Sequence, residues 1–217
     1  MELDSSESLV FADHLFPAEK MQDLILSSLV ALLTFAVPLA LGAPTDNVPV
    51  KRDGVVLCNG QAAFCDRIYS NISFIGSHDS AFVGDLPTQN QLESVTDQLN
   101  GGIRFLQAQT HSFLGTITLC HTSCFEEDSG SLQNYLSTVK TWLDNNPNDL
   151  VTMLLTNGDN LAMSKFASVF QAAGIDKYAF TPSSNPLSMG QWPTLGQMIG
   201  AGQRLVVFIG EWGKRLI

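Results

Sequence analysis

The sequence predicts an α/β fold: a β/α barrel of the TIM type, with about six of the eight strands that closure requires. Three observations predict it. From residue 72 onward, short apolar runs alternate with amphipathic segments, the pattern of parallel β/α units. Successive runs end in polar or titratable side chains, as barrel strands do at their C-terminal face. No GxGxxG follows the first run, so a dinucleotide-binding sheet has no support.

The runs, in order, are "ISFIGSH", "GIRFLQAQTH", "TITLCH", "LVTMLLTN", a weak "KYAFTP" and "RLVVFIG". In "PTQNQLESVTDQLNGG", Leu92, Val95 and Leu99 recur at helical spacing and Gly101-Gly102 stops the helix. Leu132, Leu136, Val139 and Leu143 form the buried stripe of a second helix, followed by Pro147. Leu161, Phe166, Val169 and Phe170 mark a third, closed by Gly174, and Thr194 to Gly202 a short fourth. The sixth run ends just before Ile217, which would leave Val206, Val207 and Phe208 without a partner on one side. The expectation is a truncated barrel, poorly soluble as written.

Ahead of the barrel, residues 24–43 carry no charge and end in small residues. Ala40 and Gly42 fit the −3 and −1 positions of a signal-peptidase site before Ala43, and Pro38 breaks the apolar helix. The expected organisation is a spurious extension at 1–20, a signal peptide starting at Met21 and spanning 21–42, a propeptide at 43–52 ending in Lys51-Arg52, and the barrel at 53–217. A signal anchor is the alternative, since the run is nearly long enough to span a bilayer. Export and an extracellular location follow, with no stable membrane span once the signal is removed.

The cysteines agree with export. Cys58, Cys65, Cys120 and Cys124 all follow the signal and allow three pairings. The local pairs Cys58–Cys65 and Cys120–Cys124 are favoured. A zinc site using His121 is the rival, but no second pair has ligand spacing. Asn71-Ile72-Ser73 is a glycosylation sequon that matters only in an exported chain. A formal charge of −10 with 15% charged residues excludes the basic stripe of a nucleic-acid binder and a polybasic membrane surface.

Side chains alternate between faces along a strand. That parity would put Gly76 and His78 on one face of the first strand, and Gln107, Gln109 and His111 on one face of the second. It would likewise align Leu119 with His121, and Leu155 with Asn157. If all these faces point inward, imidazoles and amides converge in one polar mouth. Two facing histidines are a general acid–base pair: one takes a proton from an attacking hydroxyl while the other gives one to the leaving oxygen. Phosphodiester cleavage needs both tasks.

"FIGSHDSAF", "GGIRFLQAQTH", "LCHTSC" and "LVTMLLTN" together resemble the phosphatidylinositol-specific phospholipase C-like phosphodiesterase superfamily, in its secreted fungal branch. The resemblance runs from about Cys58 to Ile209. It implies a distorted β/α barrel that cleaves phosphodiesters through attack by a neighbouring hydroxyl. It implies His78 as general base, His121 as general acid and Asp79 as the acid that orients or tunes them. Arg104 matches an arginine common early in the second strand, and parity, which puts it opposite Gln107 and Gln109, makes it structural. Family phospholipases carry acids, or an acid and an arginine, at the positions of Gln107 and Gln109, to hold calcium or replace it. Two amides carry no charge, and Thr156, near another family calcium position, is neutral as well. No cofactor and no metal are therefore expected. Gln107, Gln109, His111 and Asn157 become candidate substrate-binding residues for a phosphodiester small molecule or phospholipid headgroup. The rival is a weak or inactive barrel that binds a polar headgroup or sugar. A glycosidase is dropped, because no strand end offers the two carboxylates it needs.

Overall fold

The computed structural model describes residues 56–210. The expectations for residues 1–20, 21–42 and 43–52 lie outside them. Six strands form one open, mixed sheet among the described residues: β1 (Gly76–Ser77), β2 (Phe105–Phe113), β3 (Thr116–Cys120), β4 (Asp128–Ser131), β5 (Val151–Asn157) and β6 (Leu205–Gly210). The order is β4-β3-β2-β5-β6, with β1 pairing β2 beside Phe105 and Leu106.

Strict parallel β/α alternation does not hold. β2 pairs with β5, and β5 with β6, in parallel, but β2–β3 and β3–β4 are antiparallel. Only Leu114 and Gly115 separate β2 from β3, far too few residues for the crossover that parallel strands need. β4 escaped the sequence reading because "DSGS" has no apolar signature. The "KYAFTP" run makes a 3-10 turn at Asp176–Tyr178 and a single parallel bridge from Ala179 to Leu205, short of a strand.

The helices are α1 (Ala62–Cys65), α2 (Val95–Asn100), α3 (Leu132–Asn145), α4 (Met163–Ala173) and α5 (Leu195–Gly200). Ser94 caps α2 by accepting from the Asp97 N–H, which starts the helix after Leu92; that residue is solvent-exposed rather than part of the stripe. The α3 stripe is fully buried as its spacing predicts, and α4 ends at Gly174 in the left-handed conformation. Thr194 and Gln197 close a capping box on α5.

Register decides which residues face the site. Gln107 lies opposite Leu154 and Gln109 opposite Thr156, so these four share a face. Asn157 lies opposite Thr110, on the other face, which α3 and α4 cover together with Leu106, Ala108, Met153 and Leu155. The inward assignment of Leu155 and Asn157 is therefore off by one residue. Val151, Met153 and Leu155 face the helices while Thr152 and Thr156 face the other way, and Leu154 on that second face interrupts the alternation. Leu119 pairs with Thr110 and also points toward the helices. His121 lies beyond the end of β3, where strand parity no longer applies.

On the opposite face a second cluster gathers Tyr69, Phe74, Phe180, Trp192, Val206 and Phe208. A cavity of about 390 Å³ lies among Phe105, Phe180, Trp192 and Phe208.

Candidate active site

Ser77, His78, Asp79 and Ser80 turn off the end of β1, and α2 holds that turn from behind. Gln98 accepts from the Ser77 hydroxyl at 2.6 Å and donates to the Ser80 carbonyl at 3.0 Å. The Ser80 hydroxyl donates to the Gln107 carbonyl, so Tyr135 gives its own phenolic proton to Ser80 Oγ, at 2.7 Å. Burial raises the Tyr135 pKa far above the ordinary phenol value, which keeps that donor protonated. The chain leaves the turn with Asp79 at φ 47°, a left-handed conformation that Asp tolerates better than most residues.

This strained turn delivers a carboxylate between two imidazoles. Asp79 is fully buried, and its Oδ2 lies 3.2 Å from His78 Nε2 and 3.5 Å from His121 Nε2. The His78 and His121 side chains are 36% and 24% exposed, so both reach the mouth. Gln109 donates to the same Oδ2 at 3.0 Å, and Gln107 Oε1 accepts from the Asp79 backbone N–H at 2.7 Å. Asp79 Oδ1 is buried and accepts no hydrogen bond among the described residues.

His121 is fixed from its other side. Nδ1 lies 2.8 Å from the Thr88 carbonyl, which can only accept, so Nδ1 carries a hydrogen. Nε2 is then the nitrogen whose proton can be transferred. The residue after each histidine, Asp79 and Thr122, has positive φ, 47° and 63°. For β-branched Thr122 this is a genuine outlier, held by its N–H donating to Gln109 Oε1 at 3.2 Å. The Cys120–Cys124 disulfide closes the same loop, and Cys58–Cys65 is the second bridge, so both favoured pairings form and no cysteine remains for zinc.

The other predicted residues are placed differently. His111 lies further along β2, with Nδ1 3.2 Å from Asp159 Oδ1. The Ser112 N–H bond to Asp159, followed by the bond to His111, holds that carboxyl below its usual pKa. Asn157 spends both ends of its amide on Leu161, donating to the carbonyl and accepting from the N–H, which ties the loop into α4. Arg104 pairs with Asp149, donates to the Leu99 and Ile103 carbonyls and lies over the Trp142 ring, a structural role. Asn71 is exposed at the end of a 3-10 turn.

Sequence reading missed Thr88, Gln91, Gln98 and Glu127. Glu127 is buried, accepts from Thr88 and Gln89, and through them anchors the loop whose carbonyl holds His121. Gln91 donates to the His78 carbonyl at 2.6 Å. Gln98 is a polar residue on the buried face of α2, and Thr88, Gln91 and Glu127 sit in irregular segments, so no motif or apolar periodicity marks them.

Calcium would need six to eight oxygens with several carboxylates. Here both glutamine oxygens already accept backbone N–H bonds and Asp79 faces two imidazoles. This donor set does not fit a calcium cage.

Residues 64–214 match the family model described as PI-PLC X 1. PI-PLC X domain-containing protein 1 of Arthroderma benhamiae is 52% identical over 164 residues, covering 75% of this chain and 53% of that protein. A protein of the same fungus, named as an uncharacterized secreted protein, is 43% identical over 154 residues, covering 70% of this chain and 35% of its own length. The chain thus spans about half the length of the first relative and about a third of the second. The solved phosphatidylinositol-specific phospholipase C from Listeria monocytogenes superposes with a TM-score of 0.50 at 21% identity, covering 68% of this chain and 54% of that one. That likeness is one of fold.

Proposed function

Because the chain belongs to the PI-PLC X 1 family, we propose that it is an exported phosphoric diester hydrolase working by paired imidazoles. The observation that carries this reading is one buried carboxylate, Asp79, within reach of the Nε2 atoms of both His78 and His121. His78 takes the proton from a hydroxyl neighbouring the phosphorus. That oxygen forms the new P–O bond while the bond to the leaving oxygen breaks, and His121 Nε2 protonates the leaving oxygen. One imidazolium is present before the transfer and one after it. The charge beside Asp79 therefore stays constant through the step, and a buried carboxylate can serve both partners without reorganising.

Gln107 and Gln109 act in this reading as positioning residues for Asp79 and the Thr122 backbone, and His111 contacts the headgroup. Export rests on the leader-like residues 21–42, on the secreted relative and on the two disulfides. Asn71, exposed and in a sequon, is then a glycosylation site. A second reading, headgroup binding with little turnover, draws on the neutral glutamines at positions where the family carries charge.

A panel of soluble phosphodiester chromogens and phosphatidylinositol, with and without chelator, separates the two. Turnover that survives chelation and disappears in His121→Ala supports the hydrolase. Binding of a headgroup without turnover of any substrate supports the alternative.

A further inference from the structure

The proton transfers leave one buried carboxylate unused. Glu127 is buried, and among the described residues no Lys or Arg forms an ion pair with it. Its partners are neutral. Oε2 accepts from the Thr88 hydroxyl at 3.1 Å, and Oε1 from the Gln89 amide and the Ser129 hydroxyl, each at 3.2 Å. A carboxylate buried without a cation costs stability that neutral donors offset only in part. Two of those donors belong to a strap that touches both imidazole-bearing residues.

The strap runs from Gly84 to Gln91 and is closed at its base. The Gly84 N–H donates to the Gln91 carbonyl at 2.8 Å, and the Asn90 and Gln91 N–H groups donate to the Phe82 carbonyl. Its middle lacks an apolar anchor, since Asp85, Leu86 and Pro87 are exposed. The bonds from Thr88 and Gln89 to Glu127 hold it instead. Gly84, at φ 148°, makes room for them, because a Cβ there would collide with the Gln89 amide. Held in this way, the strap reaches the site twice. The Thr88 carbonyl accepts from His121 Nδ1 at 2.8 Å, and the Gln91 amide donates to the His78 carbonyl at 2.6 Å. Glu127 also meets His121 through its backbone, its carbonyl accepting from the His121 N–H at 3.3 Å.

Proton transfer at His121 requires one tautomer. Once the imidazolium releases its Nε2 proton, the neutral ring must keep its hydrogen on Nδ1, where the Thr88 carbonyl can hold it. A ring free of that carbonyl exchanges between both tautomers, and the Nε2–H form cannot take the next proton at Nε2. We propose that Glu127 is a positioning residue for both imidazoles. Through Thr88 and Gln89 it sets the strap, whose Thr88 carbonyl fixes the tautomer of His121 and whose Gln91 amide fixes the backbone of His78. Glu127 itself exchanges no proton with substrate. The proposal rests on the hydrolase reading and adds to it a residue that acts only through the strap.

NMR of the histidine ring nitrogens tests it without any substrate. The isotope-labelled full chain is compared with Thr88→Val, Thr88→Ser and Glu127→Leu, and the His121 signals are identified by their loss in His121→Ala. Above the imidazole titration the parent ring should be a single Nδ1–H tautomer. Thr88→Val keeps the carbonyl but loses the hydroxyl that Glu127 holds, so both tautomers should appear. Thr88→Ser, which keeps the hydroxyl, should restore one. Glu127→Leu should behave as Thr88→Val does. On a soluble phosphodiester chromogen, Thr88→Val should lower kcat by roughly tenfold, the cost of a misplaced proton donor. KM should stay within about twofold, because the strap binds no substrate, and Thr88→Ser should recover most of kcat.

A single Nδ1–H tautomer in both Thr88→Val and Glu127→Leu overturns the proposal, and so does a loss confined to KM. If Glu127→Leu fails to fold, Thr88→Val and its rescue by Thr88→Ser decide alone. A parent chain that turns over no substrate removes the hydrolase reading. The tautomer spectra then still support or overturn the hold of Glu127 on the ring.

Discussion

Gln109 donates its side-chain amide to Asp79 Oδ2 at 3.0 Å, so a neutral group stands where a second carboxylate would face the first. Gln109→Glu would set two like charges against each other beside both imidazoles. The added negative charge favours imidazolium, so both limbs of the pH–rate profile should move to higher pH. The rate at neutral pH should fall by roughly tenfold or more, as expected for a displaced acid–base group. A pH profile identical to that of the parent chain would show that Gln109 does not act through Asp79.

His78→Ala and His121→Ala should each lower kcat by ~10²–10⁴-fold with the fold intact, because they supply proton transfer rather than packing. The parent profile should be bell-shaped, reporting one neutral and one protonated imidazole. Asp79→Asn removes the carboxylate that both imidazoles face, and the bell should shift to lower pH as imidazolium loses its counter-charge. A monotonic pH profile, or activity retained in the double histidine variant, would overturn the assignment.

The core of this site was legible in the sequence because it lies in chemistry-dense words. "SHDS" after an apolar run, and a histidine between two closely spaced cysteines, each signal a function that composition does not explain. The helices were legible through spacing, as the α3 stripe of Leu132, Leu136, Val139 and Leu143 shows. The faces of the strands were not. Thr156, not Asn157, shares the Gln109 face; Leu154 breaks the alternation of β5 and the polar Asn157 at its end draws the eye to the wrong parity. Antiparallel β3 was hidden by its resemblance to one more apolar run. Gln107 and Gln109 read as ligands for a substrate because a sequence cannot show that their oxygens already accept from Asp79 and Thr122. The supports Gln98, on α2, and Glu127, in a loop, act mainly through bonds to residues distant in sequence, which leave no local trace.

The disulfide beside His121 gives a third prediction. Cys120–Cys124 closes a loop of about five residues, for which chain-entropy arguments give about 2 kcal/mol. Cys120→Ala with Cys124→Ala should lower the unfolding free energy by that order. It should also lower kcat, because Thr122 and His121 lose the constraint that holds their backbone. Unfolding in urea, paired with turnover of a soluble substrate, measures both. Unchanged kcat with lowered stability would make the bridge purely structural.

Asp144, at the end of α3, predicts how acid acts on the helical layer. Its hydrogen bond to Lys140, then that to Tyr178, lowers its pKa from 3.8 to about 2. A depressed carboxylate contributes stability that is present above its unfolded pKa and lost as pH falls through its folded value. The side chain is partly exposed, so screening limits the contribution to at most about 1 kcal/mol. Asp144→Asn should therefore be slightly less stable than the parent at pH 6, and the difference should close between pH 4 and pH 2. Thermal unfolding at both ends of that window checks it, and a gap that does not change with pH would refute it.

His111 separates binding from chemistry. Its Nδ1 faces Asp159, whose carboxylate the Ser112 N–H keeps ionised below the usual range, so the pair persists above the ordinary carboxyl pKa and fails only as pH drops through the lowered one. Asp159 orients the ring through Nδ1, and under the proposed function Nε2 is the nitrogen that would meet a headgroup hydroxyl or phosphate oxygen. The ring lies two residues beyond Gln109 on the same strand face, about 7 Å further along β2. His111→Ala should therefore raise KM by roughly threefold to tenfold and leave kcat nearly unchanged, the signature of lost uniform binding. Asp159→Asn should act in the same direction with a smaller effect, since the ring remains but loses its orientation. Steady-state kinetics on one soluble and one headgroup-bearing substrate decide the matter: only the headgroup substrate should respond. A fall in kcat comparable to that of His78→Ala would move His111 into the proton-transfer step instead.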